Sequence, residues 1–144
     1  MAWNRDKLFV ISLISVIVFL LVELTIRIYN LYKELPLVDV PSHLFAGIAL
    51  GIGIYWILNI EHIPKRQGLT MTFTLAGALI WEVLETLEEL VVENPPYLQD
   101  IFFWDGFFDI VVTVLGGSLG LLILYLISKK TKILHPAKCK NCGL

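Results

Sequence analysis

Charge is scarce in this chain. Lys, Arg, Asp and Glu make up 17% of its 144 residues, while 57% are hydrophobic and the mean hydropathy is +0.77. Soluble domains carry about 25% charged and about 45–50% apolar residues. A chain this short leaves much of its surface exposed, so the apolar excess excludes a water-soluble core, and it equally excludes a disordered chain. A basic excess is also lacking. With 11 Lys and Arg against 13 Asp and Glu, the formal net charge is −2, which leaves no electrostatic footprint for nucleic acid. Cysteine occurs only twice, at Cys139 and Cys142. The sequence shows no repeat of solenoid period, no low-complexity tract, no Ser-His-Asp or Cys-His set, no phosphate-cradling loop and no haem motif. What remains is one small, all-α integral membrane domain.

A bilayer core takes about 20 mainly apolar residues per helix. Leu8 to Val22 carries no charge and can continue through Glu23 and Arg27. Leu44 to Ile60 is a run of seventeen uncharged residues, and Ile110 to Ser128 is one of nineteen. Between them, Gly68 to Trp81 is uncharged and leads into the helix-favouring run WEVLETLEELVVE. These stretches predict a four-transmembrane-helix bundle within residues 1–128, with helices over about 8–30, 42–60, 68–92 and 106–128. Residues 129–144 form a basic tail with a C-x-x-C. Pro36 and Pro41, Pro64, and Pro95 with Pro96 mark the connections. The segment Asn94 to Trp104, polar and then aromatic, reads as an interfacial loop. No small-residue cleavage site follows the first apolar run, so it reads as a membrane helix rather than a cleaved signal peptide.

Orientation follows from the bases. With four spans, nine of the eleven lie on the side of both termini, and only Arg27 and Lys33 fall towards the other. The positive-inside rule then predicts a multi-pass protein of the plasma (inner) membrane with both termini cytoplasmic. Acids show the opposite bias: only Asp6 and Glu61 lie on the cytoplasmic side, and the other eleven of thirteen belong to the outer half.

Several of those acids sit within predicted helices, where charge is costly and usually marks function. Asp39 and His43 are spaced i,i+4 at the start of the second helix. Glu82, Glu85 and Glu89 are spaced i, i+3, i+7 on the third, and Asp105 and Asp109 i,i+4 on the fourth. Each set falls on one helix face. An up-and-down bundle brings all three to similar depth in its outer part. Five carboxylates (Asp39, Glu82, Glu85, Asp105, Asp109) and one imidazole cannot all ionise in a low-dielectric site without a counter-charge. Either some acids hold protons, as in a proton relay, or a cation neutralises them. A mixed oxygen and nitrogen set suits Mn, Zn, Mg or Fe. The expected ligands are therefore Asp39, His43, Glu82, Glu85, Asp105 and Asp109, with Glu85 as the carboxylate available for general base catalysis. Simpler roles stand beside these. Glu88, Glu89 and Glu93 read as solvated residues at a helix end, Glu23 with Arg27 as a local i,i+4 pair, and Asp105 alternatively as the N-cap of the fourth helix.

Small residues follow the polar ones. Gly47 and Gly51 continue from His43 at four-residue steps, Gly116 and Gly120 form a second G-x-x-x-G, and Ala76, Gly77 and Ala78 precede Glu82. Such residues allow close helix approach within the chain or in a homo-oligomer. The tail HPAKCKNCGL has the C-x-x-C-G of one zinc-ribbon knuckle. Cys139 and Cys142, with His135 as a third ligand, hold zinc only where another copy of the chain or another protein supplies a fourth; the former is a second route to a homo-oligomer. A cytoplasmic tail argues against a structural disulfide there.

The segment DVPSHLFAG, Asp39 to Gly47, resembles the D-x-x-x-H-x-x-x-G motif of the YjdF-like family of uncharacterised polytopic inner-membrane proteins. That family's E-x-x-E is matched by Glu82 and Glu85 in WEVLE, and its W-D-x-x-x-D by Trp104, Asp105 and Asp109 in WDGFFD. The stretch DIVVTVLGGSLG is also similar to the D-x-x-x-N-x-x-G ending of VanZ-like proteins, with Thr113 where they carry Asn. The resemblance runs from Val38 to Leu124. It implies a polytopic membrane protein with a polar core, and it implies no activity. The YjdF-like proteins have more spans; this chain has one helix ahead of the motif core. VanZ-like proteins are linked to glycopeptide-antibiotic resistance, a link that Thr113 does not carry over.

Three function classes fit these residues. One is a membrane enzyme whose metal acts on a lipid or isoprenoid head group, with membrane lipids as partners. The second is a proton- or cation-transport subunit, although Leu44 to Ile60 and the run after Asp109 carry no charge to continue a path. The third is a structural or accessory subunit whose polar cluster ties helices together.

Overall fold

A computed structural model describes residues 5–29, 31, 38–60, 65–92 and 99–130. They form four α-helices: α1 (Arg5–Ile28), α2 (Asp39–Ile60), α3 (Arg66–Val92) and α4 (Gln99–Lys130). The described residues contain no strand. By length and composition α1, α2 and α4 can cross a membrane, over Asp6–Ile28, Asp39–Asn59 and Trp104–Lys129. At 27 residues, α3 is as long as these spans, at about 40 Å. Its composition is more polar because Thr70, Thr72, Thr74, Glu82 and Glu85 interrupt the apolar residues. The three threonine hydroxyls donate to the carbonyls of Arg66, Gly68 and Thr70, one helical turn back. That back-bonding leaves little of their polarity unmet.

Two helix starts differ from the sequence expectation. Pro41 was expected to break the chain but lies in the first turn of α2, which opens at Asp39. Proline is tolerated there because the first N–H groups of a helix have no partner within it. α4 opens at Gln99, so the second half of the expected interfacial loop is helical. No proline follows Pro96 before Gly106, so nothing in that stretch stops a helix. Asp105 therefore lies inside α4, which removes the N-cap reading for it.

Paired residues fix the directions of the helices. His43 meets Thr113, and Gly51 lies on Gly117, so α2 and α4 run parallel. Glu82 lies by Gly106 and Met71 by Ser118, so α3 runs antiparallel to α4. Ser42 reaches Glu23, while Leu8 packs with Ile52, Tyr55 and Leu124, which sets α1 antiparallel to α2.

The α2–α4 seam is built of glycine. A Cβ at Gly51 would stand 2.8 Å from the carbonyl oxygen of Gly117, and one at Gly47 would collide with the carbonyl of Thr113. The seam places backbone against backbone, as small-residue motifs allow in membranes where lipid offers no hydrophobic drive between helices. Both G-x-x-x-G pairs are thus used within one chain. Large apolar side chains such as Leu20, Leu24, Leu115 and Leu122 face outward. Such a surface suits lipid and not water.

Candidate functional site

The seam that brings α2 and α4 together also sets the depth of His43. One turn into α2, its ring is 6% exposed and stands at the centre of a polar cluster contributed by three helices. Nε2 lies 3.4 Å from Asp39 Oδ2 on its own helix, 3.7 Å from Asp109 Oδ2 of α4 and 3.9 Å from Glu85 Oε2 of α3. The other ring nitrogen, Nδ1, lies 3.3 Å from the hydroxyl of Thr113 on α4. Thr113 is one turn beyond Asp109, so a single face of α4 addresses both sides of the imidazole.

The cluster is unevenly satisfied. Glu85 Oε2 is buried and has no hydrogen-bond partner. An unmet carboxylate oxygen in a dry setting is costly and normally has a donor or a cation. Asp39, His43 and Glu85 each offer one ligand atom, and these atoms lie within 4.8 Å of one another. One ion could therefore touch all three, since carboxylate oxygens and imidazole nitrogens bind metals at about 2.0–2.2 Å. Asp109, with a side chain 11% exposed, adjoins the group through His43.

The remaining expected ligands lie further out. Glu82 is half-buried, and its carboxylate fills the space that a Cβ on Gly106 would need. The glycine thus makes room for the acid at the α3–α4 contact. Asp105 is exposed. Glu88 and Glu89 belong to α3, but their side chains lie outside the described residues, as does all of Glu93. The tail with His135, Cys139 and Cys142 also lies outside them.

Sequence reasoning missed two contributors. Ser42 donates a 2.5 Å hydrogen bond to Glu23 Oε2, and Glu23 also accepts from Arg27. The expected local pair is present, and it additionally moors α1 beside His43. The second is Thr113, whose hydroxyl faces His43 Nδ1. Its place one turn after Asp109 was the available signal, but hydroxyls in apolar helices usually bond their own backbone.

A family model described as "Predicted membrane protein (DUF2238)" matches residues 2–130. No curated protein and no solved structure matches the chain.

Proposed function

Since the chain belongs to this family of predicted membrane proteins, its polar cluster works in a lipid setting, and we propose that the cluster binds a divalent metal. Asp39, His43 and Glu85 are the inner ligands. Asp109 stands beside them, and Glu82 and Asp105 supply outer negative charge. The carrying observation is Glu85, whose Oε2 is buried without a hydrogen-bond partner 3.9 Å from His43 Nε2, and which offers a carboxylate oxygen within 4.8 Å of ligand atoms from both Asp39 and His43. Thr113 would hold the ring by its other nitrogen, the usual arrangement for a metal-bound histidine. Mn, Zn, Mg and Fe all suit a donor set of carboxylates with one imidazole.

The charge bias argues that the termini are cytoplasmic and the site faces outward. A lipid-linked head group at the outer leaflet is then the natural substrate, and hydrolysis or modification of that group the reaction. A bound metal supplies Lewis acidity to a phosphoryl or carbonyl oxygen. Glu85 is a third exposed, so with one oxygen turned into the cluster the other can take a proton from water.

Transport is the second reading, and one observation favours it. Thr113, Thr74, Thr70 and Asn59 are all buried, forming a polar succession from the site towards Arg66 at the other end of α3. Against it, Thr70 and Thr74 donate to carbonyls of their own helix, so neither hydroxyl is free to pass a proton on. An accessory role needs no metal at all. Elemental analysis of the purified chain, run beside His43→Ala and Asp109→Ala, separates the metal reading from the other two. The metal reading expects about one ion per chain, lost in His43→Ala and weakened in Asp109→Ala. A metal-free parent protein would remove it, and proton flux in liposomes that Asp109→Ala abolishes would then establish transport.

A further inference from the structure

α1 and α3 both pack on α2. The gap between them is a cavity of about 450 Å³, within the usual size range of ligand pockets. It follows one face of α2 from Ser42 and His43 through Ala46, Ala49, Leu50, Gly53 and Ile54 to Ile57. Val16 and Phe19 wall it on α1, and Gly77, Ala78 and Trp81 on α3. Polar side chains meet it at one end only, where Ser42, His43 and Thr113 stand.

Its shape selects its occupant. Ser42 to Ile57 spans about 22 Å of helix, so a volume of about 450 Å³ available to the centre of a water molecule leaves a channel about 8 Å across once the water's own radius is added. An α-helix with side chains is about 10–12 Å wide, so a helix of a second copy cannot enter. A single hydrocarbon chain, whose carbons contact wall carbons at about 3.5–4.0 Å, can. Small residues (Ala46, Gly53, Gly77) keep the channel open, and Trp81, one turn before Glu85, lines it from α3. An apolar slot that ends on a polar group fits an amphiphile whose tail lies along α2 and whose head stops at His43.

We propose that this groove binds one acyl chain of a membrane lipid and thereby presents the lipid's head group to the His43 cluster. The presentation rests on the metal reading; the binding of the chain does not. Filling the groove is sterically mild at Gly77, where a Cβ meets only the flexible Leu50 side chain, at 3.4 Å. Ala46→Phe blocks the same channel from α2.

The test reconstitutes the full chain in phosphatidylcholine vesicles doped with a lipid carrying a photoreactive diazirine on its acyl chain. Adducts are mapped by mass spectrometry, and metal content is read on the same samples. Adducts are expected to concentrate on 46–57 and 77–81. Gly77→Leu and Ala46→Phe should each cut them about tenfold, the equivalent of losing contact for about two buried methylenes. Metal content should stay unchanged in both. Adducts spread evenly over Leu20, Leu24, Leu115 and Leu122, or groove adducts that persist in both variants, overturn the proposal. Should a variant fail to insert, the adduct map of the parent chain decides alone. A metal-free parent protein with groove adducts removes the metal reading and leaves the groove; a metal-loaded one without them does the reverse.

Discussion

His43 faces carboxylates with one ring nitrogen and a hydroxyl with the other. In a metal site those two sides have separable roles, because the outer hydrogen bond fixes the ring and the tautomer while the inner nitrogen binds. Thr113→Val keeps the shape of the side chain and removes only the hydroxyl. It should weaken metal affinity about 10–100-fold by competition with a chelating dye, with the thermal unfolding profile little changed. Affinity equal to the parent's would show that Thr113 does not position the ring. At this scale, Asp39, His43 and Asp109 are legible in the sequence, because an i,i+4 pair of ionisable groups in an apolar helix has few bland explanations. Ser42 and Thr113 are not, since a lone hydroxyl in such a helix is ordinary. Which acids lie innermost was also hidden: periodicity puts Glu82 and Glu85 on one face of α3, while packing turns Glu85 to His43 and leaves Glu82 against Gly106.

At the scale of elements, the uncharged runs mark α1, α2 and α4, and Pro36, Pro64 and Pro95 with Pro96 fall between the four helices, while Pro41 belongs to the first turn of α2. The start of α4 is obscured by the aromatic stretch before Asp105, which reads equally as an interfacial loop. The glycine steps announce close packing without saying against what. The structure spends them on α2 against α4, and that seam holds Asp39 and His43 level with Asp109 and Thr113. Two alanine substitutions separate packing glycines from incidental ones. Gly51→Ala puts a Cβ 2.8 Å from a carbonyl oxygen of Gly117, a backbone atom that cannot swing aside. Overpacking of this kind costs about 1–3 kcal/mol, and the melting temperature in detergent should fall. In Gly68→Ala the new Cβ meets nothing within 4 Å. The same measurement should show a gain of about 0.4–1 kcal/mol, because alanine loses less backbone freedom on folding. Equal shifts in the two variants would mean that the seam is not close-packed.

Over the whole molecule, the small net charge of −2 conceals a polarisation: among the described residues, Arg5, Lys7, Lys65, Arg66, Lys129 and Lys130 lie at one end of the bundle, and Glu23, Asp39, Glu82, Glu85, Asp105 and Asp109 lie towards the other. The helix directions agree with that division, since the first turns of α2 and the last turns of α3 lie together around His43. Two donor sets compete for a metal: the carboxylates and His43 of the bundle, and Cys139 with Cys142 in the tail sequence. X-ray absorption at the zinc edge, on the full chain loaded with one equivalent of zinc, tells them apart. Binding by Asp39, His43 and Glu85 gives a shell of oxygen and nitrogen only, at about 2.0–2.2 Å, with the imidazole ring visible in the outer shells. A sulfur shell at about 2.3 Å in the parent protein, retained in His43→Ala, would place the metal on the cysteines and contradict the bundle site.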